Sequence, residues 1–74
     1  MQFMKKTDQL ISIVIPVYNC SAFIKELHNR LTKTLSGFCN DYEIIFINDG
    51  SHQNEWEIIN ELAQVDKKVK GIKV

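Results

Sequence analysis

The sequence predicts an α/β fold with a parallel three-stranded sheet and two helices packed on it. Apolar runs rich in β-branched residues at residues 11–17 and 42–47 are typical of strands in parallel sheets. Each run is followed by apolar residues at helical spacing, and a third short run begins at residue 69. This β-α-β-α-β order favours right-handed crossovers between parallel strands.

The composition limits the classes of function open to this chain. Its 74 residues make one small domain, and nine basic residues balance nine acidic ones. A neutral chain has no overall field that would favour nucleic acid or an anionic membrane as a partner. It has no apolar run near the roughly 20 residues of a membrane span, and no signal-peptide pattern. Two isolated cysteines in such a chain predict reduced thiols and a cytoplasmic location.

The first part of the chain is predicted to form a leader and a strand. Residues 1–10 are polar and predict an irregular leader, so the domain is expected to span residues 11–74. The nearly continuous apolar run at residues 11–17 predicts a strand that is covered on both faces. Pro16 lacks a backbone donor and is expected to mark the exit of this strand. Ser21 is expected to cap the helix that follows.

The first helix is predicted over residues 22–35, with Gly37 available for a left-handed cap. His28 falls among its polar residues and is expected to be solvated, without a partner. The apolar residues recur at three- and four-residue steps and predict one stripe that faces the core. These residues are Phe23, Ile24, Leu27, Leu31 and Leu35.

The second half of the chain repeats the pattern. A buried strand at residues 42–47 leads into an exit loop at residues 48–51, and residues 54–57 fit the capping box of a second helix. The apolar face of that helix is expected to comprise Trp56, Ile58, Ile59, Leu62, Ala63 and Val65. Residues 69–74 predict a third strand, and the exposed edge of so small a sheet favours a homo-oligomer.

The position of Asp49 in the sequence is sufficient to make it a candidate for ligand binding. In open α/β sheets, ligands bind at the carboxyl ends of the strands, where a carboxylate can accept hydrogen bonds from a base or a ribose. Gly50 beside it would allow a tight turn and close approach of a ligand. Ordinary turn chemistry explains the same residues about equally well. Tyr18, at the exit of the first strand, could stack on a base opposite Asp49 or pack at the sheet edge with its hydroxyl in water.

Other residues and motifs give weaker evidence for a functional site. His52 lies close to Asp49 in sequence and is a minor candidate for a phosphate contact. Cys20 and Cys39 have no adjacent base to activate their thiols, which argues against a nucleophile. No Gly-x-Gly-x-x-Gly follows the first strand and no P-loop is present, which argues against a dinucleotide-dependent oxidoreductase.

Two stretches at their expected separation carry a resemblance to a known family. Residues 11–19 (ISIVIPVYN) and residues 42–51 (YEIIFINDGS) resemble the start of family 2 glycosyltransferases, which have the GT-A fold. The continuation at residues 56–62 and 69–72 is most similar to the polyprenyl-phosphate branch. That branch includes dolichol-phosphate mannose synthases and bactoprenol glucosyltransferases. The resemblance covers nearly the whole chain, from residue 11 onwards.

The resemblance implies that these residues form the Rossmann-like half of a GT-A fold and bind the donor nucleotide. By position, Pro16 and Tyr18 would frame the nucleobase pocket, with Val17 between them. Asp49 would bind the base or the ribose, with Gly50 beside it. Two neighbouring positions depart from the family. Asn48 stands where many members have an Asp, although its amide can still accept a hydrogen bond. Cys20 stands where many carry a Glu, so the nucleotide contact of that Glu is not expected here.

The implied activity is that of an inverting enzyme, which moves a sugar from a nucleotide-diphosphate donor to an acceptor such as a polyprenyl phosphate or a glycan. The family's Asp-any-Asp metal motif and its catalytic base are expected beyond residue 74. The segment itself would then hold no catalytic residue, metal or cofactor, and Mg²⁺ or Mn²⁺ would belong to the complete enzyme. Any membrane contact would likewise come from other parts, and the segment alone would bind nucleotide without transferring sugar.

Two interpretations that assign the chain a different class of function remain open beside the glycosyltransferase. A non-catalytic βαβαβ module that binds a nucleotide, or a partner through its exposed sheet edge, would explain the same pattern. A phosphoacceptor domain of the flavodoxin-like type is disfavoured, because such domains cluster several carboxylates around one metal. Here the first strand ends in Pro-Val-Tyr-Asn at residues 16–19.

Overall fold

The computed structural model describes residues 7–50 and 54–74, and it confirms the predicted fold class. The elements follow one another as β1 (Thr7–Val17), α1 (Ser21–Phe38), β2 (Cys39–Asn48), α2 (Glu55–Val65) and β3 (Val69–Lys73). The three strands are parallel, and β2 lies in the middle of the sheet. Of the predicted leader at residues 1–10, residues 7–10 belong to β1, and residues 1–6 lie outside the described residues.

The strand register sets the carboxyl ends of the three strands level with one another. Val17 of β1 is the register partner of Asn48, the last residue of β2. Asn48 in turn is the register partner of Lys73, the last residue of β3. The backbone N–H of Val74 also donates to the carbonyl of Asn48, at 2.9 Å. The loops that leave β1 and β2 therefore start from one common edge of the sheet.

Both helices cover the same face of the sheet. The strand order follows the chain order, so two right-handed crossovers place α1 and α2 on one side. Ile44 and Phe46 of the central strand point to that side and are fully buried. The buried apolar core consists of Val17, Ile24, Leu35, Cys39, Tyr42, Ile44, Phe46, Ile59, Leu62 and Val69.

The opposite face of the sheet carries no helix from the part of the chain described, so the prediction that β1 is covered on both faces is wrong. Ser12 and Val14 of β1 are exposed there. The hydroxyl of Ser12 donates to one carboxylate oxygen of Glu43 at 2.9 Å, and the Lys70 ammonium donates to the other at 2.9 Å. An apolar run shows that its residues avoid water, but it does not show which face of the sheet is covered. A face is covered only where a helix packs on it, and both helices here pack on the opposite face from Ser12 and Val14.

Several element boundaries differ from the predicted ones. Strand β1 begins at Thr7, four residues early, because its backbone already pairs with Cys39 there. Helix α1 continues through Gly37, which does not take the left-handed conformation. The chain needs no such cap, because Cys39 leaves the helix in an extended conformation and starts β2 directly.

The predicted caps and two of the predicted core residues also differ. Cys20, rather than Ser21, is the N-cap of α1. Asn54 is the N-cap of α2 as expected, but its side chain makes no capping hydrogen bond, so the capping box does not form. Phe23 and Val65 are 64% and 81% exposed, because the helix stripes are narrower than their sequence patterns indicated. Neither α1 nor α2 is long and apolar enough to cross a membrane.

Candidate functional site

The exits of β1 and β2 lie side by side at the carboxyl edge of the sheet. Val17 and Asn48 are register partners, so Tyr18 and Asp49 each follow a paired residue at the same level. Both side chains are exposed, Tyr18 by 59%. The sheet thus brings together the two residues that sequence reasoning placed on opposite walls of one crevice, since parallel strands end at a common edge.

Each of these exits turns through a residue with positive φ. Asn19 has φ 51° and Gly50 has φ 67°. Asn tolerates this left-handed conformation better than most residues, and Gly adopts it without a steric cost. No heavy atom lies within 4 Å of where a Cβ of Gly50 would be, so the turn needs Gly for its conformation and not for space. The rest of the predicted loop, including Ser51 and His52, lies outside the described residues.

Pro16 and Val17, the other predicted members of the site, lie on opposite faces of β1. Pro16 is exposed on the face without helices, one residue before the end of the strand. Val17 is 2% exposed and belongs to the core. Its side chain anchors the exit of β1 in the core, so any contact of Val17 with a ligand would pass through its backbone.

Only two of the described residues are polar and buried, and both lie at this edge. Asn48 is 5% exposed and Glu55, the first residue of α2, is 0% exposed. Burying a polar group costs free energy unless it gains a hydrogen bond. Two buried polar side chains at the same edge therefore raise the question of what each one bonds to. A carboxylate oxygen of Glu55 accepts a hydrogen bond from the backbone N–H of Cys20 at 3.0 Å. The amide oxygen Oδ1 of Asn48 has no hydrogen-bond partner among the described residues.

Sequence reasoning missed the burial of Glu55, which it included only as one position of the capping box at residues 54–57. A signal was present in the pattern. Glu55 stands four residues before Ile59 and seven before Leu62, the two other buried residues of α2, so it occupies a core-facing position of the helix. A carboxyl group at a core-facing position of a helix indicates that it has a polar partner in the interior.

Positive charge also lies near this edge. The Lys73 ammonium, at the end of β3, lies 5.8 Å from the centroid of the Trp56 ring. Lys73 belongs to the third strand, as the pattern at residues 69–74 predicted. A cation at this position would favour an anionic group bound beyond the strand ends.

The described residues do not by themselves form a cation site. Among residues 7–50 and 54–74, no three His, Cys, Asp or Glu side chains come together in a way that could hold a metal ion. Cys20 and Cys39 are free thiols, as expected.

Residues 12–74 match the family described as Glycosyl transferase family 2. The chain is 41% identical over 71 residues to an undecaprenyl-phosphate 4-deoxy-4-formamido-L-arabinose transferase of Aeromonas hydrophila, covering 93% of this chain and 22% of that protein. An enzyme of the same name from Edwardsiella ictaluri is 41% identical over 59 residues, covering 80% and 18%. The uncharacterized glycosyltransferase YkcC of Bacillus subtilis is 41% identical over 61 residues, covering 82% and 19%.

The chain spans about a fifth of the length of these curated relatives. The undecaprenyl-phosphate sugar transferases among them agree with the polyprenyl-phosphate branch that the sequence resembles. The family match covers most of the chain and begins within β1. The chain therefore belongs to glycosyl transferase family 2.

Proposed function

We propose that this chain is the donor-binding segment of an inverting glycosyltransferase that uses a nucleotide-diphosphate sugar. The observation that carries the proposal is the register of Val17 with Asn48, which sets Tyr18 and Asp49 side by side at the carboxyl edge of the sheet. In this proposal the carboxylate of Asp49 accepts hydrogen bonds from the base or the ribose. The exposed ring of Tyr18 stacks on the base, and Pro16 and Gly50 shape the exits of the two strands.

The acceptor in this proposal is a polyprenyl phosphate. Its support is that two of the relatives are named as undecaprenyl-phosphate sugar transferases. A glycan acceptor is the alternative within the family. The divalent cation, Mg²⁺ or Mn²⁺, and the catalytic base come from the rest of a longer protein, and the described residues bind the donor without taking part in the transfer. The cytoplasmic location inferred from two isolated cysteines belongs to the same proposal.

Calorimetric titration of the chain with UDP, GDP, ADP and CDP tests the proposal. We expect one of these nucleotides to bind, and the Asp49→Ala variant to bind it roughly tenfold or more weakly, since hydrogen bonds to a charged group contribute about 1.5–3 kcal/mol. Asp41→Ala is the matched control. Asp41 is an exposed aspartate near the amino end of β2, whereas Asp49 directly follows the carboxyl end of that strand.

Two results would contradict the assignment. Equal affinities of the wild type and Asp49→Ala would remove Asp49 from the site. Equal losses in Asp49→Ala and Asp41→Ala would mean that net charge, and not a local contact, determines binding.

A non-catalytic interaction module is the second candidate function. The face of the sheet without helices favours it, because parallel sheets are usually covered on both faces. Such a module would bind none of the four nucleotides, and none of them would raise its melting temperature.

A further inference from the structure

One side chain joins the loop that leaves β1 to the start of α2. Glu55 begins α2 and is fully buried, and its Oε2 accepts a hydrogen bond from the backbone N–H of Cys20 at 3.0 Å. The two residues are 35 positions apart in the chain. Cys20 directly follows Tyr18 and Asn19, so this contact ties the start of the second helix to the loop that leaves β1.

The loop needs an acceptor at this point. Cys20 is the N-cap of α1, and the first N–H groups of a helix have no partner within the helix. The Cys20 side chain makes no capping hydrogen bond among the described residues, although its carbonyl accepts from the N–H of Phe23 at 2.9 Å. The carboxyl of Glu55 supplies the acceptor from another element, where the positive ends of both helices favour a carboxylate.

The same contact holds a loop whose backbone is costly to maintain. Asn19 has φ 51°, in the left-handed region that non-glycine residues seldom adopt. Such conformations persist where surrounding contacts determine them. The hydrogen bond to Cys20 acts on the next residue along the chain. This hydrogen bond therefore restrains the loop close to Tyr18, and so influences how the Tyr18 side chain is oriented relative to the exit of β2.

We propose that Glu55 is a positioning residue of the donor site. It fixes the Tyr18–Cys20 loop against the start of α2, so that the Tyr18 wall of the site is in place before a ligand arrives. Glu55 itself is fully buried and acts through the loop without touching the ligand. A site that is ordered in advance loses less conformational entropy on binding. This inference rests on the proposed donor-binding function.

Two substitutions separate the hydrogen bond from the bulk of the side chain. Glu55→Gln keeps an oxygen acceptor in nearly the same place, whereas Glu55→Ala removes it. Glu55→Asp withdraws the carboxyl by one carbon and serves as the deletion should Glu55→Ala fail to fold. Leu62→Ala is the control for lost stability, because Leu62 is a buried residue of the same helix, about two turns further from the site.

The test has two readouts on the full 74-residue chain, both taken below the melting temperature of every variant. The first is the hydrogen-exchange protection of the Cys20 amide, measured by NMR without ligand. The second is calorimetric affinity for whichever of UDP, GDP, ADP and CDP the wild type binds most tightly. Glu55→Ala should lower both by about tenfold, and Glu55→Gln should keep both within about threefold. Leu62→Ala should lower the melting temperature while leaving both close to wild type.

The outcomes distinguish this inference from the function on which it rests. Unchanged Cys20 protection in Glu55→Ala would overturn the positioning role, as would a loss of affinity in Leu62→Ala as large as that in Glu55→Ala. If the wild type binds none of the nucleotides, the proposed function fails. In that case, loss of Cys20 protection in Glu55→Ala alone would still support the fixing of the loop.

Discussion

His28 and Asp66 join helix α1 to the turn between α2 and β3 through one contact. The His28 Nε2 lies 2.8 Å from Asp66 Oδ2, and both side chains are about four-fifths buried. The other carboxylate oxygen of Asp66 accepts from the backbone N–H of Lys68 at 3.0 Å. The expectation that His28 is solvated and has no partner is therefore wrong. Its partner lies 38 residues away, a distance at which helical periodicity carries no information.

The pKa of Asp66 reports how strongly this contact favours the ionised carboxylate. Partial burial raises the pKa, but the hydrogen bonds from His28 and the Lys68 backbone, together with the charges of both residues, outweigh it. The net result is a pKa below the ordinary value of 3.8. A carboxyl whose pKa is lower in the folded state stabilises the fold above its unfolded pKa, and that contribution is lost as the pH falls through the folded value.

We expect the Asp66→Asn variant to lose stability at neutral pH and little at low pH. Above about pH 5 the free energy of unfolding should fall by about 1 kcal/mol, less than the roughly 1.5–3 kcal/mol of a hydrogen bond to a charged group, because the Asn side chain keeps one oxygen acceptor. As the pH falls through the lowered pKa of Asp66, the difference should shrink, because the wild-type carboxyl then becomes protonated as well. Urea denaturation at a series of pH values measures the stability loss at neutral pH and its decrease at low pH. An equal cost of Asp66→Asn at all pH values would refute the assignment.

Helix α2 packs closely on strand β3 because residue 71 is a glycine. A Cβ added to Gly71 would lie 2.5 Å from Cγ2 of Ile59 and 3.2 Å from Cζ3 of Trp56. Ile59 is fully buried and has little room to move. Trp56 is half-buried against the core, as expected from its place in the apolar face. The approach of helix to strand at this point therefore depends on the missing side chain.

We expect Gly71→Ala to destabilise the fold by about 1–3 kcal/mol, because the added methyl group would overlap the buried Ile59 side chain and force it to move. Gly37→Ala is the matched control. No atom lies within 4 Å of the Cβ it would add, and the residue is helical. That variant should gain about 0.5–1 kcal/mol, because Ala loses less backbone entropy than Gly in a helix. Thermal or urea denaturation compares the two, and a Gly71→Ala variant as stable as the wild type would contradict the close packing.

The molecule as a whole is a two-layer structure, with both helices on one face of the sheet. On the other face, Val14 is 55% exposed and Ile72 is 49% exposed, and they lie in the two edge strands. Polar contacts of Glu43 with Ser12 and Lys70 cross the same face. Parallel sheets are normally covered on both sides, so we expect this face and the adjoining edges to favour self-association, as the sequence already indicated.

Substitution of Val14 tests self-association. We expect sedimentation velocity to show a concentration-dependent dimer of the wild-type chain. Val14→Lys should shift the chain to monomer, because a charge buried at an apolar contact costs several kcal/mol. Val65→Lys is the control, since Val65 is an exposed valine on α2, away from this face. A wild type that is monomeric at all concentrations, or equal effects of the two lysines, would contradict the expectation.

The sequence by itself determined the fold class, the order of the elements and the family. These depend on local periodicity, on strands that need helical crossovers, and on two motifs at a fixed separation. It also nominated Tyr18 and Asp49, because the strand ends where they lie can be read from where the apolar runs stop. It did not determine the element ends, since strand pairing started β1 and β2 earlier than their apolar patterns indicated.

Only the tertiary structure decided what depends on contacts between distant residues. The register of Val17 with Asn48 set the two exits side by side. The burial of Glu55 against Cys20 and the pairing of His28 with Asp66 each join positions at least 35 residues apart. The side of the sheet on which both helices lie is equally non-local, because it follows from strand order and crossover hand together. An apolar or polar pattern reports the preference of each residue for water, but which partner satisfies that preference is settled only when the chain folds.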